Sequence, residues 1–285
     1  MDPVSSDPAS TNPASTNPLV AVALAEAAEA ELSPEWQLTG VGVGPGDPEL
    51  LTLKAARILR EADAVFAPTT TLDKPSRAER IVREATGVEA RRLVFALDDT
   101  GGLTPARTAA WDEAGRTVLR AFHDGARRLA FVTLGDPNLY STFAYLARTV
   151  AAAEPRVAIH TVPGITAMQD LAARLALPLA EGNEPLTLLP AAGPDPGRAL
   201  DAIEAALAGP GTVVVYKGGR RSEELIAAVE RAGRAGGAVL GTDLGLPTER
   251  IVPLTCLAET DKRAPAPYFT TLIVPPPRGE RGGAL

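Results

Sequence analysis

The chain has 285 residues, of which 45% are hydrophobic, 22% are charged and only 4% are aromatic, enough for two domains of ordinary size with aliphatic cores. Its 28 basic and 35 acidic side chains give a net charge of −7, which weighs against a nucleic-acid partner and favours a small-molecule ligand. The single cysteine, Cys256, excludes an internal disulfide and favours the cytoplasm, and with only His123 and His160 beside it no metal site is expected.

The first 35 residues are predicted to lie outside the folded part. Residues 8–12 and 13–17 repeat Pro-Ala-Ser-Thr-Asn without apolar periodicity, which is typical of a disordered leader. The apolar run at 19–32 is interrupted by glutamates and is not preceded by basic residues, so it does not fit a signal peptide, and it is too short to span a bilayer. We interpret residues 1–35 as a disordered leader and a linker helix, and we expect no membrane partner.

From Trp36 onward, short apolar runs alternate with helical patterns, which predicts an α/β fold with parallel strands. A first domain at 36–155 is predicted to have strands at 37–43, 64–67, 91–97 and 129–134 and helices at 49–62, 76–87, 108–123 and directly after residue 137. A second domain at 156–276 is predicted to have strands at 157–162, 186–189, 212–216, 238–242, 249–253 and 268–274 and helices at 165–177, 197–207 and 222–232. A frayed tail is expected at 277–285, and the active site is expected in the cleft between the two domains.

The tripeptide Gly-Asp-Pro occurs twice, at 46–48 and at 135–137, each time after an apolar strand. Asp47 and Asp136 are each placed to cap a helix, and the proline that follows suits the first helical position. Ligands bind at the carboxyl ends of strands in open α/β sheets. The two turns are therefore predicted to face one crevice.

The glycine-rich stretch at 40–47, GVGVGPGD, does not fit a dinucleotide site. Pro45 occupies the third position of the glycine fingerprint, and Asp47 would point a carboxylate at a pyrophosphate. No Gly-Lys-Ser/Thr sequence is present for a Walker loop. NAD and ATP are disfavoured, whereas a nucleoside that carries a sulfonium would suit an acidic loop.

Four segments resemble the tetrapyrrole (corrin/porphyrin) methyltransferases, which use S-adenosylmethionine. They are GVGPGDPELLTLKA at 42–55, LGDPNLYST at 134–142, VPGITAMQDLAARLALPLAEGNE at 162–184 and VVVYKGG at 213–219. The resemblance covers about residues 38–275. It implies two α/β domains of the tetrapyrrole methylase fold, a homodimer, S-adenosylmethionine as the methyl donor, a tetrapyrrole substrate and no metal.

The resemblance also implies which residues contact the methyl donor. At position 217 several relatives have an apolar residue, so for this lysine only a backbone contact is carried over. The expected donor-binding residues are Pro45, Leu134, Gly135, Asp136, Leu139, Thr166, Ala167, Tyr216, Lys217, Thr242, Leu244 and Thr271.

Further segments narrow the implied activity to methylation of C20 of precorrin-2 in cobalamin biosynthesis. They are SRAER at 76–80, LYST at 139–142, LPLAEG at 177–182 and GLPTER at 245–250. Methylation of the cobalt-containing substrate or of another ring position stays open, and so does a sensor that binds without turnover. An RNA methyltransferase of the same fold is disfavoured by the net charge.

Methyl transfer from a sulfonium to carbon requires in-line alignment and no metal, and orientation alone can supply up to ~7–11 kcal/mol. A base can collect the C20 proton, and the sequence does not choose among the acidic residues on predicted loops. These candidates are Asp47, Asp98, Asp99, Glu181 and Glu184.

The substrate carries many carboxylates, so cations are expected at its site. Candidate substrate-binding residues are Asp47, Arg77, Arg80 and Tyr140. Two or three arginines are expected to line the cleft, from a set near predicted loop ends: Arg77, Arg80, Arg83, Arg91, Arg92, Arg107, Arg220 and Arg221.

Overall fold

The chain folds around two five-stranded sheets, which the computed structural model describes over residues 35–96, 102–193, 195–263 and 266–279. The strands of the first sheet are β1 (Trp36–Gly42), β2 (Ala64–Thr69), β3 (Arg91–Val94), β4 (Arg128–Thr133) and β5 (Val157–Val162). The helices connecting them are α1 (Leu53–Glu61), α2 (Arg77–Thr86), α3 (Pro105–His123) and α4 (Phe143–Ala153). The strand order is β3-β2-β4-β1-β5, and all pairs are parallel, as predicted.

The central strands β2 and β4 of the first sheet are buried along almost their whole length because helices cover both faces. Successive residues of β4 point to opposite cores: Phe131 packs in the cluster that contains residues of α3 and α4. Val132 packs in the cluster that contains residues of α1 and α2. This arrangement leaves the carboxyl ends of the strands and their loops free to form a site.

Strand β5 belongs to the first sheet and not to the second domain, where the sequence prediction placed it. It pairs with β1 over the register Trp36↔Val157 to Val41↔Val162. Grouping this strand with the second half was wrong because the break at Glu154-Pro155 ends a helix without ending the sheet. The division into two domains stays a prediction, and this pairing favours a boundary after Val162.

The second sheet is mixed, in contrast to the parallel pairing predicted from the alternating pattern. Its strands are β6 (Leu186–Pro190), β7 (Thr212–Tyr216), β8 (Val239–Thr242), β9 (Arg250–Pro253) and β10 (Thr270–Val274), in the order β6-β7-β10-β8-β9. Its helices are α5 (Ala167–Arg174), α6 (Pro196–Leu207), α7 (Ser222–Arg231) and the unpredicted α8 (Glu259–Arg263). β6 and β7 are parallel, whereas β10 is antiparallel to β7 and β8, and β9 is antiparallel to β8. A short connection without a crossover helix joins β8 to β9, and this permits only antiparallel pairing.

Both helices predicted to begin at a Gly-Asp-Pro turn start later than expected. Asp47 caps only a 3₁₀ turn at Pro48–Leu50, and α1 begins afresh at Leu53 with Thr52 as its cap. After the second turn, α4 does not begin until Phe143. The residue Tyr140 has φ of +51°, a left-handed conformation that a right-handed helix cannot contain.

The start of the predicted frayed tail is held against the fold. Arg278 donates to the carbonyl of Pro178 at 3.0 Å, and its guanidinium pairs with Glu184 at 2.5 Å. The expectation of fraying is therefore wrong at residue 278, while residues 280–285 and the predicted leader at 1–34 lie outside the described residues. In the described part of the chain, no helix is both long and apolar enough to cross a bilayer.

Candidate active site

A cleft of about 730 Å³, partly open to solvent, lies between the two sheets and is lined by loops from both. β1, β4 and β5 are parallel strands, and the loops at their carboxyl ends form one wall, where α/β sheets commonly bind ligands. Residues that follow β7 and β8 and precede β10 form the other wall. The lining residues are Pro45, Arg77, Leu134, Gly135, Asp136, Leu139, Thr166, Ala167, Tyr216, Lys217, Leu244, Tyr268, Phe269, Thr270 and Thr271.

All of the expected donor-binding residues except Thr242 line this cleft. Thr242 is buried in β8, where it pairs with Thr270 of β10. The fold thus brings together residues that are far apart in the sequence. Their individual contacts with a methyl donor stay a prediction.

Three loops of the first sheet pack backbone against backbone at the floor of the cleft. A Cβ on Gly42 would lie 2.5 Å from the carbonyl oxygen of Gly135 and 2.6 Å from the nitrogen of Gly164. Gly135 has φ of +66°, and its N–H donates to the carbonyl of Gly44 at 2.9 Å. Glycine is required at Gly42 because a side chain would separate the loops, and it is favoured at Gly135 because the backbone there is left-handed.

Asp136 ties two of these loops together. Its Oδ1 accepts the N–H of Asn138 at 2.8 Å, and its Oδ2 accepts the N–H of Gly164 at 3.0 Å. The predicted role as the cap of the following helix is wrong, because the carboxylate instead satisfies a turn and a neighbouring loop. Its position at the cleft is as predicted.

Tyr216 connects the end of β7 to the start of α5. Its hydroxyl accepts the N–H of Met168 at 2.9 Å, and burial raises the pKa of the phenol. Thr166 and Gln169 form a capping box at the same helix start, in which the N–H of Thr166 donates to Oε1 of Gln169 at 2.9 Å. The neutral phenol therefore fixes the helix that carries Thr166 and Ala167 into the cleft.

Arg77 and Arg80, predicted to bind substrate, both bridge the two halves of the molecule. Arg77 Nη2 lies 2.6 Å from Oδ1 of Asp243, and its guanidinium lies 4.1 Å from the centre of the Phe269 ring. Arg80 Nη2 donates to the carbonyls of Gly46 at 2.9 Å and Gly245 at 3.3 Å. Arg77 lines the cleft, whereas Arg80 is engaged with backbone.

The sequence analysis missed the contribution of Tyr268 and Phe269. Both were interpreted as the start of a strand, but β10 begins only at Thr270 and the two aromatic residues form part of the cleft wall. Phe269 remains 45% exposed. The sequence signal that was available is the pair of adjacent aromatic residues in a chain of which only 4% is aromatic. Aromatic side chains commonly line ligand pockets.

Apart from Arg77, none of the arginines expected to line the cleft is in its described lining, so the expected number of two or three is not reached there. Of the other candidates, two form ion pairs and two line a second cavity. Arg92 pairs with the buried Glu79 at 2.8 Å, and Arg221 pairs with Glu224. Arg107 and Tyr140 line a cavity that adjoins the cleft. Of the arginines expected to line the cleft, the described lining thus includes Arg77, with Arg107 beside it.

The candidate bases that the structure describes, Asp47, Glu181 and Glu184, are not among the residues that line the cleft. Asp47 Oδ1 accepts the N–H of Glu49 at 2.9 Å, and Glu181 lies near Arg278 and Glu184 at the edge of the second sheet. Asp98 and Asp99 lie outside the described residues. Asp136 is the one carboxylate in the described lining, and both of its oxygens already accept N–H groups.

The cleft has features that suit a nucleoside-type methyl donor. Leu134, Leu139 and Leu244 offer apolar walls, and the backbone at Gly135 is uncovered. Apolar walls with a few polar groups are typical of cofactor sites. Among the described residues, no group of three or more His, Cys, Asp or Glu side chains is placed to hold a metal ion.

Fold and cleft together define an α/β protein with two sheets and a small-ligand site at the strand ends. The model of the tetrapyrrole (corrin/porphyrin) methylases matches residues 37–259, and the chain belongs to this family. The cobalt-precorrin-2 C(20)-methyltransferase of Salmonella typhimurium is 30% identical over 240 residues, which cover 84% of this chain and 95% of that protein. The precorrin-2 C(20)-methyltransferase of a Sinorhizobium species is 31% identical over 247 residues, with coverage of 84% and 95%.

A solved structure of a cobalamin biosynthetic enzyme, cobalt precorrin-4 methyltransferase, shows the same fold. It superposes with a TM-score of 0.64 at 20% sequence identity, and the match covers 84% of this chain and 94% of the chain of that enzyme.

Proposed function

We propose that this protein transfers a methyl group from S-adenosylmethionine to C20 of precorrin-2 in cobalamin biosynthesis. The observation that carries the proposal is the cleft itself, which gathers nearly all of the residues expected to bind the methyl donor. Relatives named for this activity, similar over most of their length, support it.

In the proposed mechanism the protein acts mainly by orientation. The bound donor supplies a methyl group that a carbon nucleophile takes from sulfur, while the electron pair of the broken C–S bond stays on sulfur. Leu134, Leu139 and Leu244 exclude water from the donor, and the uncovered backbone at Gly135 lets it approach closely. Tyr216 keeps the start of α5 in place.

No described carboxylate of the cleft is arranged as a base. Both oxygens of Asp136 are held by backbone N–H groups. We therefore propose that the electron-rich tetrapyrrole supplies its own nucleophilic carbon, that the C20 proton leaves to water after the methyl group has been transferred, and that Asp136 serves the geometry of the site.

The cobalt-containing substrate is a second candidate. Two relatives carry names that specify cobalt-precorrin-2, at 30% and 35% identity, and a third is named for precorrin-2 at 31%. Similarity of this degree favours neither form. A homodimer and a cytoplasmic location complete the proposal, the first supported by the family resemblance and the second by the single cysteine.

Anaerobic incubation with S-adenosylmethionine and enzymatically made precorrin-2, with and without inserted cobalt, tests the proposal. Mass spectrometry should show the gain of one methyl group on the metal-free substrate. Methylation of the cobalt form alone would assign the enzyme to a pathway in which cobalt is inserted before this methylation. Tight donor binding without methylation of either form would refute catalysis on this substrate.

A further inference from the structure

A second cavity of about 530 Å³ opens beside the donor cleft. Lys217 lines both spaces, so the two adjoin at this residue. Tyr140 lines the second cavity and meets Tyr216 of the cleft edge-on, with ring centres 6.2 Å apart. A methyl acceptor has to lie directly beside its donor, and this cavity is in that position.

The charged side chains among the described lining of the second cavity are both cationic. They are Arg107, from the first turn of α3, and Lys217, from the end of β7. The chain as a whole carries a net charge of −7. Two cations at one cavity of an acidic protein favour an anionic ligand.

A pair of stacked aromatic rings lines the same cavity as these cations. The rings of Trp111 and Tyr145 stack with centres 4.3 Å apart and planes 3° from parallel. Both rings and Arg107 also line a third cavity of about 630 Å³, which extends toward Leu103 and Gly193. Tyr145 is 42% exposed, although a stacked aromatic pair would gain from burial. Such a surface suits a large, planar, partly apolar ligand.

Lys217 adopts a backbone conformation that is unusual for lysine. Its φ is +60°, and left-handed conformations cost most residues roughly 1–2 kcal/mol. Strain of this kind is common where a side chain must be aimed at a ligand. Its Nζ lies 5.9 Å from the centre of the Tyr268 ring, which itself lines the donor cleft. The ammonium group is thus at the junction of the two spaces.

From this arrangement we infer that the second cavity recognises the methyl acceptor, with Arg107 and Lys217 binding carboxylates of a planar polycarboxylate while the Trp111–Tyr145 pair contacts its ring. The inference rests on the proposed function, and it adds the residues that select the acceptor. Lys217 sets the position of the acceptor relative to the donor, because it is the one residue of the described lining that borders both spaces with a charge.

Steady-state kinetics of the full chain with the variants Lys217→Met, Arg107→Met and Arg107→Lys test the inference. Each loss of charge should raise the KM for the tetrapyrrole about tenfold, as for a lost hydrogen bond to a charged group. Arg107→Met should leave kcat and the Kd for S-adenosylmethionine within about twofold of wild type, whereas Lys217→Met, at the residue that positions the acceptor beside the donor, should also lower kcat. Arg107→Lys, which keeps the charge without the forked geometry, should fall between wild type and Arg107→Met. Arg116→Met is the matched control, since Arg116 is on the same helix and pairs with Glu113 in solvent.

Binding of metal-free uroporphyrin, a stable porphyrin with eight carboxylates, separates this inference from the proposed reaction. It should bind wild type with an affinity that falls as salt rises. Lys217→Met and Arg107→Met should bind it about tenfold more weakly, and Arg107→Lys should lose less affinity than Arg107→Met. If wild type methylates precorrin-2 and the three variants keep its KM, the inference is overturned while the function stands. If uroporphyrin binding depends on both cations but no tetrapyrrole is methylated, the subsite stands and the reaction is wrong. Unchanged uroporphyrin binding in folded variants contradicts the subsite in either case.

Discussion

Arg77 and Asp243 join the two halves of the molecule at the rim of the donor cleft. The guanidinium Nη2 is 2.6 Å from the carboxylate Oδ1, and both side chains are largely buried. Thr248 donates to the other oxygen of Asp243 at 3.1 Å, which fixes the carboxylate. The relationship was not foreseen, because Arg77 was expected to bind substrate directly.

Arg77→Met is expected to weaken S-adenosylmethionine binding several-fold and to lower the free energy of unfolding by about 1–2 kcal/mol, because a largely buried ion pair would lose one partner. Calorimetric titration and urea unfolding measure the two effects. Arg57→Met removes an exposed pair with Glu61 and is the control. A donor affinity equal to that of wild type would show that the pair does not shape the cleft.

Gly42→Ala should be among the most damaging single substitutions of the donor site. The added Cβ would lie 2.5 Å from the Gly135 oxygen, so three loops would have to move, at a cost of about 1–3 kcal/mol or more. Donor binding should be lost even where the variant folds. Gly236→Ala, whose Cβ would meet nothing within 4 Å, should leave donor binding unchanged. Donor affinity retained in Gly42→Ala would contradict the close packing of the loops.

Tyr216→Phe is expected to weaken donor binding roughly threefold to tenfold, because the N–H of Met168 loses its acceptor at the start of α5. The apolar ring remains, so the fold should persist. Measurement of Kd for S-adenosylmethionine checks the effect, and Tyr145→Phe, at a ring outside the donor cleft, is the control. Equal donor affinities for the two variants would exclude a role for the Tyr216 hydroxyl.

Glu79 predicts a specific pH dependence of stability. Hydrogen bonds from Arg92 hold the pKa of this carboxyl below its ordinary value of 4.5. The stabilisation that the ionised Glu79 adds to the free energy of unfolding is therefore complete above about pH 4.5. It is lost as the pH falls through the lowered pKa of the folded state. Glu79→Gln should cost about 2 kcal/mol at pH 7 and progressively less below pH 4.5.

Urea unfolding of wild type and Glu79→Gln across this pH range checks the prediction. Glutamine keeps one acceptor for the N–H of Ser76 in the capping box, and it removes the charge together with one of the two hydrogen bonds from Arg92. Glu61→Gln, at an exposed pair with Arg57, is the control and should cost less than about 1 kcal/mol. A difference that stays constant down to pH 3 would rule out the lowered pKa.

Local features of the sequence were sufficient for most individual elements. The strands at 157–162 and 212–216 were predicted with their observed bounds, because short apolar runs between turn residues define them. Helix α2 was predicted from Ser76 and Gly87, which the structure shows as its capping box and its left-handed end. These signals lie within a few residues of the element that they specify.

Features that depend on tertiary contacts were not predictable in this way. The carboxylate of Asp136 binds the N–H of Gly164, 28 residues away, so it could not be recognised as a loop tie instead of a helix cap. The membership of β5 in the first sheet is set by pairing with β1. The residues assigned to the donor site came from family resemblance, whereas the bridge between Arg77 and Asp243 required the fold.

The position of the transferred methyl group tests the central claim most directly. S-adenosylmethionine with a ¹³C-labelled methyl group and precorrin-2 labelled with ¹³C at C20 would be incubated anaerobically with the protein, and the product examined by NMR. We expect one new methyl resonance that shows one-bond carbon coupling to C20. A methyl signal coupled to no labelled carbon would place the methyl group elsewhere on the ring and would contradict the proposed function.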